Sequence, residues 1–209
     1  VAISDTHNLH EQIKIPWCDL FIHAGDCSIL GSEKEMRSFA KWLNEQDAKY
    51  KIFVPGNHEF QFEKSLPLSF AWIKEECPSV HLLIDQMVDI EGIKIWGSPY
   101  TPFFNNWAFN EFRGDNIKRH WDLIPNNIDI LITHGPPLSV LDQTLQNERV
   151  GCEDLFNKVQ ELKPKLHIFG HIHYEGSRQL HFNDVSYYNV AICDEMYVPI
   201  NPITVIDFE

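Results

Sequence analysis

The chain lacks any apolar run near the ~20 residues that a membrane-spanning helix needs, and it lacks Cys-x-x-Cys pairs, internal repeats and low-complexity tracts. No membrane partner is expected on that basis. Its five cysteines, Cys18, Cys27, Cys77, Cys152 and Cys193, are odd in number and irregular in spacing. That argues against a disulfide framework and for a reducing, cytoplasmic compartment. Cys27 is read as an inert buried thiol. Positive charge is also scarce: 17 Lys and Arg face 30 Asp and Glu, for a formal net charge of −13. Long nucleic acid needs a basic surface to neutralise its phosphates, so it is a poor partner for this chain. An anionic substrate must instead be captured locally. The first residue is Val1, not Met, and it lies already inside an apolar run. This predicts that N-terminal sequence precedes it, with room for a removed signal peptide.

What is present describes a globular protein. The 209 residues are 44% hydrophobic and 22% charged, a composition and length that suit one domain over 1–209 with a sizeable core. Ser32 and Glu35 form the pattern of a capping box ahead of Met36, Phe39, Ala40 and Leu43 at helical spacing. A second amphipathic segment is expected over 63–76, with Pro67 restricting its start, and a third over 152–162, ended by Pro164. Strands are expected at 80–84, in a hairpin over 87–96 turning at Glu91-Gly92, at 177–182 and 185–190 around Asn183-Asp184, and at 203–208. These are read as antiparallel strands of a second sheet, giving an α/β chain with two sheets packed face to face and helices outside.

Five further apolar runs carry the chemistry, because each ends in a metal-ligand or proton-transfer fragment. The fragments are Asp5-Thr6-His7, Gly25-Asp26, Gly56-Asn57-His58-Glu59, Thr133-His134-Gly135 and Gly170-His171-Ile172-His173. In open α/β sheets, sites form beyond the carboxyl ends of strands, so these fragments should meet at one rim. Gly-Asp alone is often only a turn. Gly-Asn-His-Glu and Gly-His-x-His are far more specific.

Two ligand sets follow: Asp5, His7, Asp26 and His173 around one ion, and Asp26, Asn57, His134 and His171 around a second. Asp26 would bridge them, and bridged ions sit roughly 3.5–4 Å apart, a spacing that clamps both oxygens of an in-line displacement at phosphorus. Two divalent ions, two carboxylates and a bridging hydroxide leave about one positive charge. A neutral amide at Asn57 preserves it, whereas a carboxylate there would erase it. His58 is placed as general acid beside the reacting phosphate, with Asn57 and His58 touching the substrate. Glu59 is read either as an orienting partner of a histidine or as an ordinary surface or capping residue. Nitrogen and oxygen donors without thiolate favour Mn, Fe or Zn, with Co or Ni also compatible, and Mg alone is poorly served by four imidazoles. His10, His81, His120 and His181 are read as surface or core residues, and His23 and His167 chiefly as core packing.

In this order the five fragments resemble the calcineurin-like metallophosphoesterase superfamily over nearly the whole chain. The resemblance implies a four-layer α/β/β/α sandwich with two mixed sheets, a dinuclear metal site and hydrolysis of phosphate esters by metal-activated hydroxide. It carries the metal ligands onto Asp5, His7, Asp26, Asn57, His134, His171 and His173, and the catalytic histidine onto His58. The segment from Gly97 to Trp107 and the run Thr133-His134-Gly135-Pro136-Pro137-Leu138 more narrowly resemble the brain-type metallophosphoesterase-domain proteins and their bacterial relatives. These are regarded as phosphodiesterases, with cyclic nucleotides among the substrates tested. Some mammalian members have Gly where this chain has His171, so the complete two-metal site is expected here.

The chain departs from the protein Ser/Thr phosphatases, whose second motif resembles Gly-Asp-x-Val-Asp-Arg-Gly. Here Asp26 is followed by Cys27-Ser28-Ile29-Leu30-Gly31, without the Arg that grips a dianionic monoester. The expectation therefore tilts to a small phosphodiester, nucleotides included, although Arg113, Arg149 or Arg178 could reach in. The aromatic segment 100–112 is either a stacking wall for a base or aryl group or packing at a sheet edge. Alternatives are a monoesterase of the same fold, a non-catalytic scaffold that keeps the fold, and another binuclear hydrolase such as an amidohydrolase barrel. The barrel wants His-x-His early and typically ~250 residues. No oligomeric state is assigned.

Overall fold

A computed structural model describes residues 1–208, and in it the five motif-bearing runs become parallel strands divided between two sheets. The first part of the chain forms β1 (Ala2–Ile3), β2 (Cys18–His23), α1 (Glu33–Glu45), β3 (Ala48–Phe53), α2 (Phe60–Lys64), α3 (Leu66–Glu76) and β4 (His81–Leu82). Then come β5 (Gln86–Ile90), β6 (Ile93–Ser98), the short β7 (Thr101–Pro102) and β8 (Asn110–Glu111), and α4 (Asp115–Trp121). The remainder forms β9 (Ile130–Thr133), α5 (Glu153–Leu162), β10 (Leu166–Phe169), β11 (Gln179–Phe182) and β12 (Val185–Asn189). One sheet has the order β1-β2-β3-β4, the other β11-β12-β10-β9-β6-β5.

Local chemistry explains the helices. Ser32 and Glu35 close a reciprocal capping box at the start of α1, which buries Met36, Phe39, Ala40, Trp42 and Leu43. The amphipathic segment expected over 63–76 is interrupted at Ser65. A short α2 ends there and α3 begins with Pro67 in its first turn, where a missing N–H costs nothing. α5 runs to Leu162 and is stopped by Lys163 in a left-handed conformation, immediately before Pro164. α4 was not expected: only seven residues long, it offers too few turns for a periodic signal.

The strands need three corrections. The run at 80–84 yields β4, which pairs parallel to β3 at the edge of the first sheet and not in the second. Of the two mixed sheets expected, only the second is mixed: β6, β9, β10 and β12 are mutually parallel and its outer strands β5 and β11 pair antiparallel, whereas every pair in the first sheet is parallel. The segment 203–208 forms no strand and contributes one antiparallel bridge, Thr204 to Ala2. Ile203, Ile206 and Phe208 rest half-buried on the core beside the two-residue β1, which is too short to carry a longer ladder.

Three apolar clusters hold these parts together. Ile22, Ile52 and Val54 of the first sheet's side of the molecule pack with Ile95, Ile130, Ile132 and Ile168 of the second, so the sheets share one core. Phe21 and Phe53 pack with Phe39, Trp42 and Ile73 of α1 and α3. Leu131, Phe169 and Tyr187 pack with Ile117 and Trp121 of α4 and Leu155 and Val159 of α5. The parallel strands β2, β3, β9 and β10 thus bury apolar side chains on both faces, which is why they read as continuous apolar runs.

Candidate metal centre

Just past the carboxyl ends of β1, β2, β3, β9 and β10 the backbone turns sharply. Asp5, His7, Asp26 and His171 all have positive φ, at 54°, 42°, 55° and 66°. Left-handed conformations in residues with a Cβ cost about 1–3 kcal/mol each and persist where surrounding structure enforces them. The turns also press on one another. A Cβ at Gly56 would overlap Asp26 Oδ1 and its backbone nitrogen, and one at Gly170 would overlap Ser4 Oγ and Asp5 Oδ2. Glycine at these positions lets the strand ends approach closely enough to share a site.

All eight residues singled out by sequence are brought to this rim. Asp5, His7 and His173 offer ligand atoms within 4.8 Å of one another, as do Asp26, His134 and His171, and His7, Asp26 and His58. Asn57 joins the second group through Oδ1, 2.9 Å from His134 Nε2. Asp26 is common to two of the three clusters; the first joins Asp5, His7 and His173 without it, and another joins His7 and Asp26 to His58.

The histidines are oriented by backbone carbonyls, which can only accept. Nδ1 of His58 lies 2.8 Å from Ile29 O, Nδ1 of His134 2.9 Å from Ala24 O, Nδ1 of His173 2.9 Å from Asp194 O, and Nδ1 of His7 3.3 Å from Ser28 O. Each Nδ1 must therefore carry the hydrogen, which turns Nε2 inward. Nε2 of His7 and of His173 meet at 3.2 Å, an arrangement that needs a proton or a cation between two lone pairs. Asp5 Oδ1 is buried without a hydrogen bond and lies 3.3 Å from His173 Nε2. Asp26 Oδ2 lies 3.2 Å from His134 Nε2. Hard oxygens and imidazole nitrogens, oriented from behind and converging without a mutually satisfying hydrogen-bond pattern, fit divalent cations.

Electrostatics follows from this crowding. Burial opposes charge on His134, yet Asp26 and then Asp5 outweigh it and push the imidazole up to about 9. Burial likewise opposes charge on His173, and Asp5 raises it to about 9. Burial pushes His7 down to about 4, and desolvation together with the charge on His134 pushes His171 down to about 4. Asp5 and Asp26 stay ionised despite burial, held below the usual carboxylate range by His173 and His134 respectively.

Glu59 is neither a surface residue nor a partner for a histidine. It is fully buried, and its carboxylate accepts hydrogen bonds from the backbone N–H of Asp26 (2.9 Å), Gly56 (2.6 Å) and Ser28 (3.1 Å) and from Ser28 Oγ (2.7 Å). It thus ties the turn after β2 to the turn after β3. Burial and then the nearby Asp26 raise its pKa. Cys27 is buried beside it, its thiol pushed far up by burial, as an inert thiol should be.

The remaining histidines separate cleanly. His23 Nε2 bonds Thr6 Oγ1 at 3.1 Å, and His167 Nε2 bonds Thr133 Oγ1 at 2.8 Å, so each braces the residue next to a site residue. Burial pushes both down to about 3. His10 packs edge-on against Phe39, while His120 Nδ1 lies 2.6 Å from Asp85 Oδ2. His81 is half-buried and His181 exposed.

The aromatic segment does three different things. Tyr100 stacks on His120 at 3.4 Å, and Phe109 is buried. Trp107 lies over His58 with ring centroids 4.4 Å apart. Phe103 and Phe104 are exposed and line a cleft of about 370 Å³ that opens onto His171 and His173. Of the arginines, Arg113 donates to Val150 O and Gly151 O, Arg149 pairs with Asp142, and Arg178 pairs with Glu175. None takes the place of the phosphatase Arg. Sequence reading missed Tyr197, whose ring packs 4.5 Å from His7 and 5.5 Å from His173. It stands alone in a loop, with no spacing to mark it.

Residues 1–175 match the model of the calcineurin-like phosphoesterase family. The chain belongs to that family, whose members hydrolyse phosphoesters with divalent metals. It is 38% identical to metallophosphoesterase domain-containing protein 1 of Homo sapiens, over 99% of this chain and 70% of that protein. It is 28% identical to a 3′,5′-cyclic-nucleotide phosphodiesterase of Nostoc sp., over 79% of this chain and 60% of that one. The fold is shared with the phosphopantetheinyl hydrolase of Mycobacterium tuberculosis, at a TM-score of 0.63 and 16% identity over 94% of this chain and 89% of that one. Among the described residues, no helix is long and apolar enough to cross a membrane.

Proposed function

We propose that the chain is a two-metal phosphodiesterase acting on small phosphodiesters, with cyclic nucleotides among the candidates. The observation that carries this reading is the set of histidines whose Nδ1–H groups are spent on backbone carbonyls, leaving Nε2 to converge with Asp5 and Asp26. Asp5, His7, Asp26 and His173 would hold one ion, and Asp26, Asn57, His134 and His171 the other. Bound divalent ions would polarise the phosphoryl group and acidify a water. Mn, Fe or Zn suits the donor set best, with Co and Ni next.

The chain's own residues do the rest. His58, fixed through Nδ1 to Ile29 O and covered by Trp107, is held beside the reacting phosphate; as an imidazolium, with a second proton on Nε2, it would give that proton to the leaving alkoxide and return to the neutral ring. Asn57 orients the phosphate while adding no negative charge. A diester is favoured over a monoester because the arginines that could neutralise a second phosphate charge are engaged elsewhere. The similarity to a cyclic-nucleotide phosphodiesterase points the same way. The three apolar clusters support a single domain built as a four-layer α/β/β/α sandwich. Five unpaired, buried cysteines support a cytoplasmic location.

Metal analysis of the purified protein, paired with assays of bis(p-nitrophenyl) phosphate and p-nitrophenyl phosphate under added Mn, tests the proposal. About two ions per chain and a preference for the diester are expected. A single ion, or a preference for the monoester, would overturn the corresponding part.

A further inference from the structure

We propose that the cleft beside the centre selects the organic arm of the phosphodiester by charge, accepting neutral or cationic groups and rejecting a second anion. The inference rests on the phosphodiesterase reading and names the substrate class within it. The cleft, about 370 Å³, opens directly onto His171 and His173 and continues between Phe103 and Phe104 on one side and the 144–151 loop on the other. Its volume falls in the range of about 300–1,000 Å³ that holds small ligands. One arm of a phosphodiester seated at the centre has this space to enter.

The lining tells what that arm can be. Phe103 and Phe104 are 45% and 58% exposed, so aromatic surface at the cleft is open to a stacking group. Phe103 is held flat by Phe112, centroids 4.8 Å apart and rings within 18°, so it offers a fixed aromatic face. The charged side chains along the cleft are Glu148, Glu195 and Arg113. Arg113 directs Nη1 to Gly151 O at 2.7 Å and Nη2 to Val150 O at 2.8 Å, so two of its five N–H groups are bound to the protein backbone. The two glutamates are exposed. A second phosphate or a carboxylate on the substrate would meet two carboxylates against the single guanidinium of Arg113. A cation would meet aromatic faces and carboxylates together, the surroundings that favour ammonium groups. The net charge of −13 adds to the same bias.

Three diesters with a common chromophore test this: p-nitrophenyl phosphorylcholine, p-nitrophenyl phenyl phosphate and p-nitrophenyl 4-carboxyphenyl phosphate. On the Mn-loaded protein kcat/KM should fall in that order, with the carboxylate about tenfold below the neutral ester. In the double variant Glu148→Gln/Glu195→Gln the spread should collapse, and Phe104→Ala should raise KM for the phenyl ester. Calorimetric titration of the same esters into Mn-loaded His58→Ala should rank their Kd identically without turnover. An equal or reversed order in both measurements, with the diesters still hydrolysed, overturns the charge selection alone. Hydrolysis of p-nitrophenyl phosphate but of none of the three diesters overturns the phosphodiesterase reading itself.

Discussion

The first sheet brings Asp5, Asp26 and Asn57 to the rim with only His7 and His58 beside them, whereas the second brings His134, His171 and His173 and no carboxylate. Acid stands on one side of the seam and base on the other. The cross-seam pairs show what this does. Asp26 faces His134 at 3.2 Å and Asp5 faces His173 at 3.3 Å. These are the two imidazoles raised to about 9, while His7 and His171 are driven down to about 4. Without cations, protons on His134 and His173 compensate the carboxylates. Metal and proton therefore compete for the same places, and two of the three candidate ligand groups draw on both sheets.

The sharpest way to break this comparison is to remove the acid. Asp26→Ala should lose both ions by metal analysis and lower turnover by about three orders of magnitude or more. Retention of two ions would show that the second sheet's imidazoles suffice. His58→Ala, next in effect, should keep its metal but lose about 10²–10³ in kcat, as removal of a general acid does. Loss of metal in that variant would move His58 into the ligand set.

Proton competition can be read by thermal melts across pH. His134 and His173 have raised pKa values, so their contribution to metal-free stability is complete below about pH 6.5 and lost as pH rises through about 9. His23 and His167 have depressed values, so their contribution is complete above about 6.5 and lost as pH falls through about 3. The Tm of metal-free protein should fall on both sides of neutrality, and added Mn should flatten the alkaline side only. A flat alkaline limb without metal would refute the cross-seam pairs. Glu59→Gln should have the smallest effect, lowering stability by about 1–3 kcal/mol through lost acceptor capacity at the buried turns. Denaturant melts would measure it, and metal affinity should weaken in step because the turn carrying Asp26 loosens.

Much of the rim was legible because its residues are local in sequence: each motif directly follows the strand that aims it. Asp5 and His7 follow β1, and His171 and His173 follow β10, so an apolar run plus a short polar fragment suffices to place them. Glu59 was not assigned correctly, since its partners Asp26 and Ser28 lie about thirty positions away and only a folded chain shows that it binds backbone N–H groups. Trp107 stood out in the aromatic segment as a candidate stacking residue, and the folded chain shows its ring lying over His58. The fold divides similarly. β5 and β6 were recognisable from the Glu91-Gly92 turn. The allegiance of β4 to the first sheet was not, because a short buried strand fits any free edge.

The left-handed backbone at His171 sets fold and chemistry against each other. Its φ of 66° is a conformation that glycine adopts freely. His171→Gly would therefore relax the turn, by about 1 kcal/mol where no contact is lost, while deleting an imidazole from the centre. The imidazole therefore sits at the centre at a cost to the fold that a glycine there would not carry.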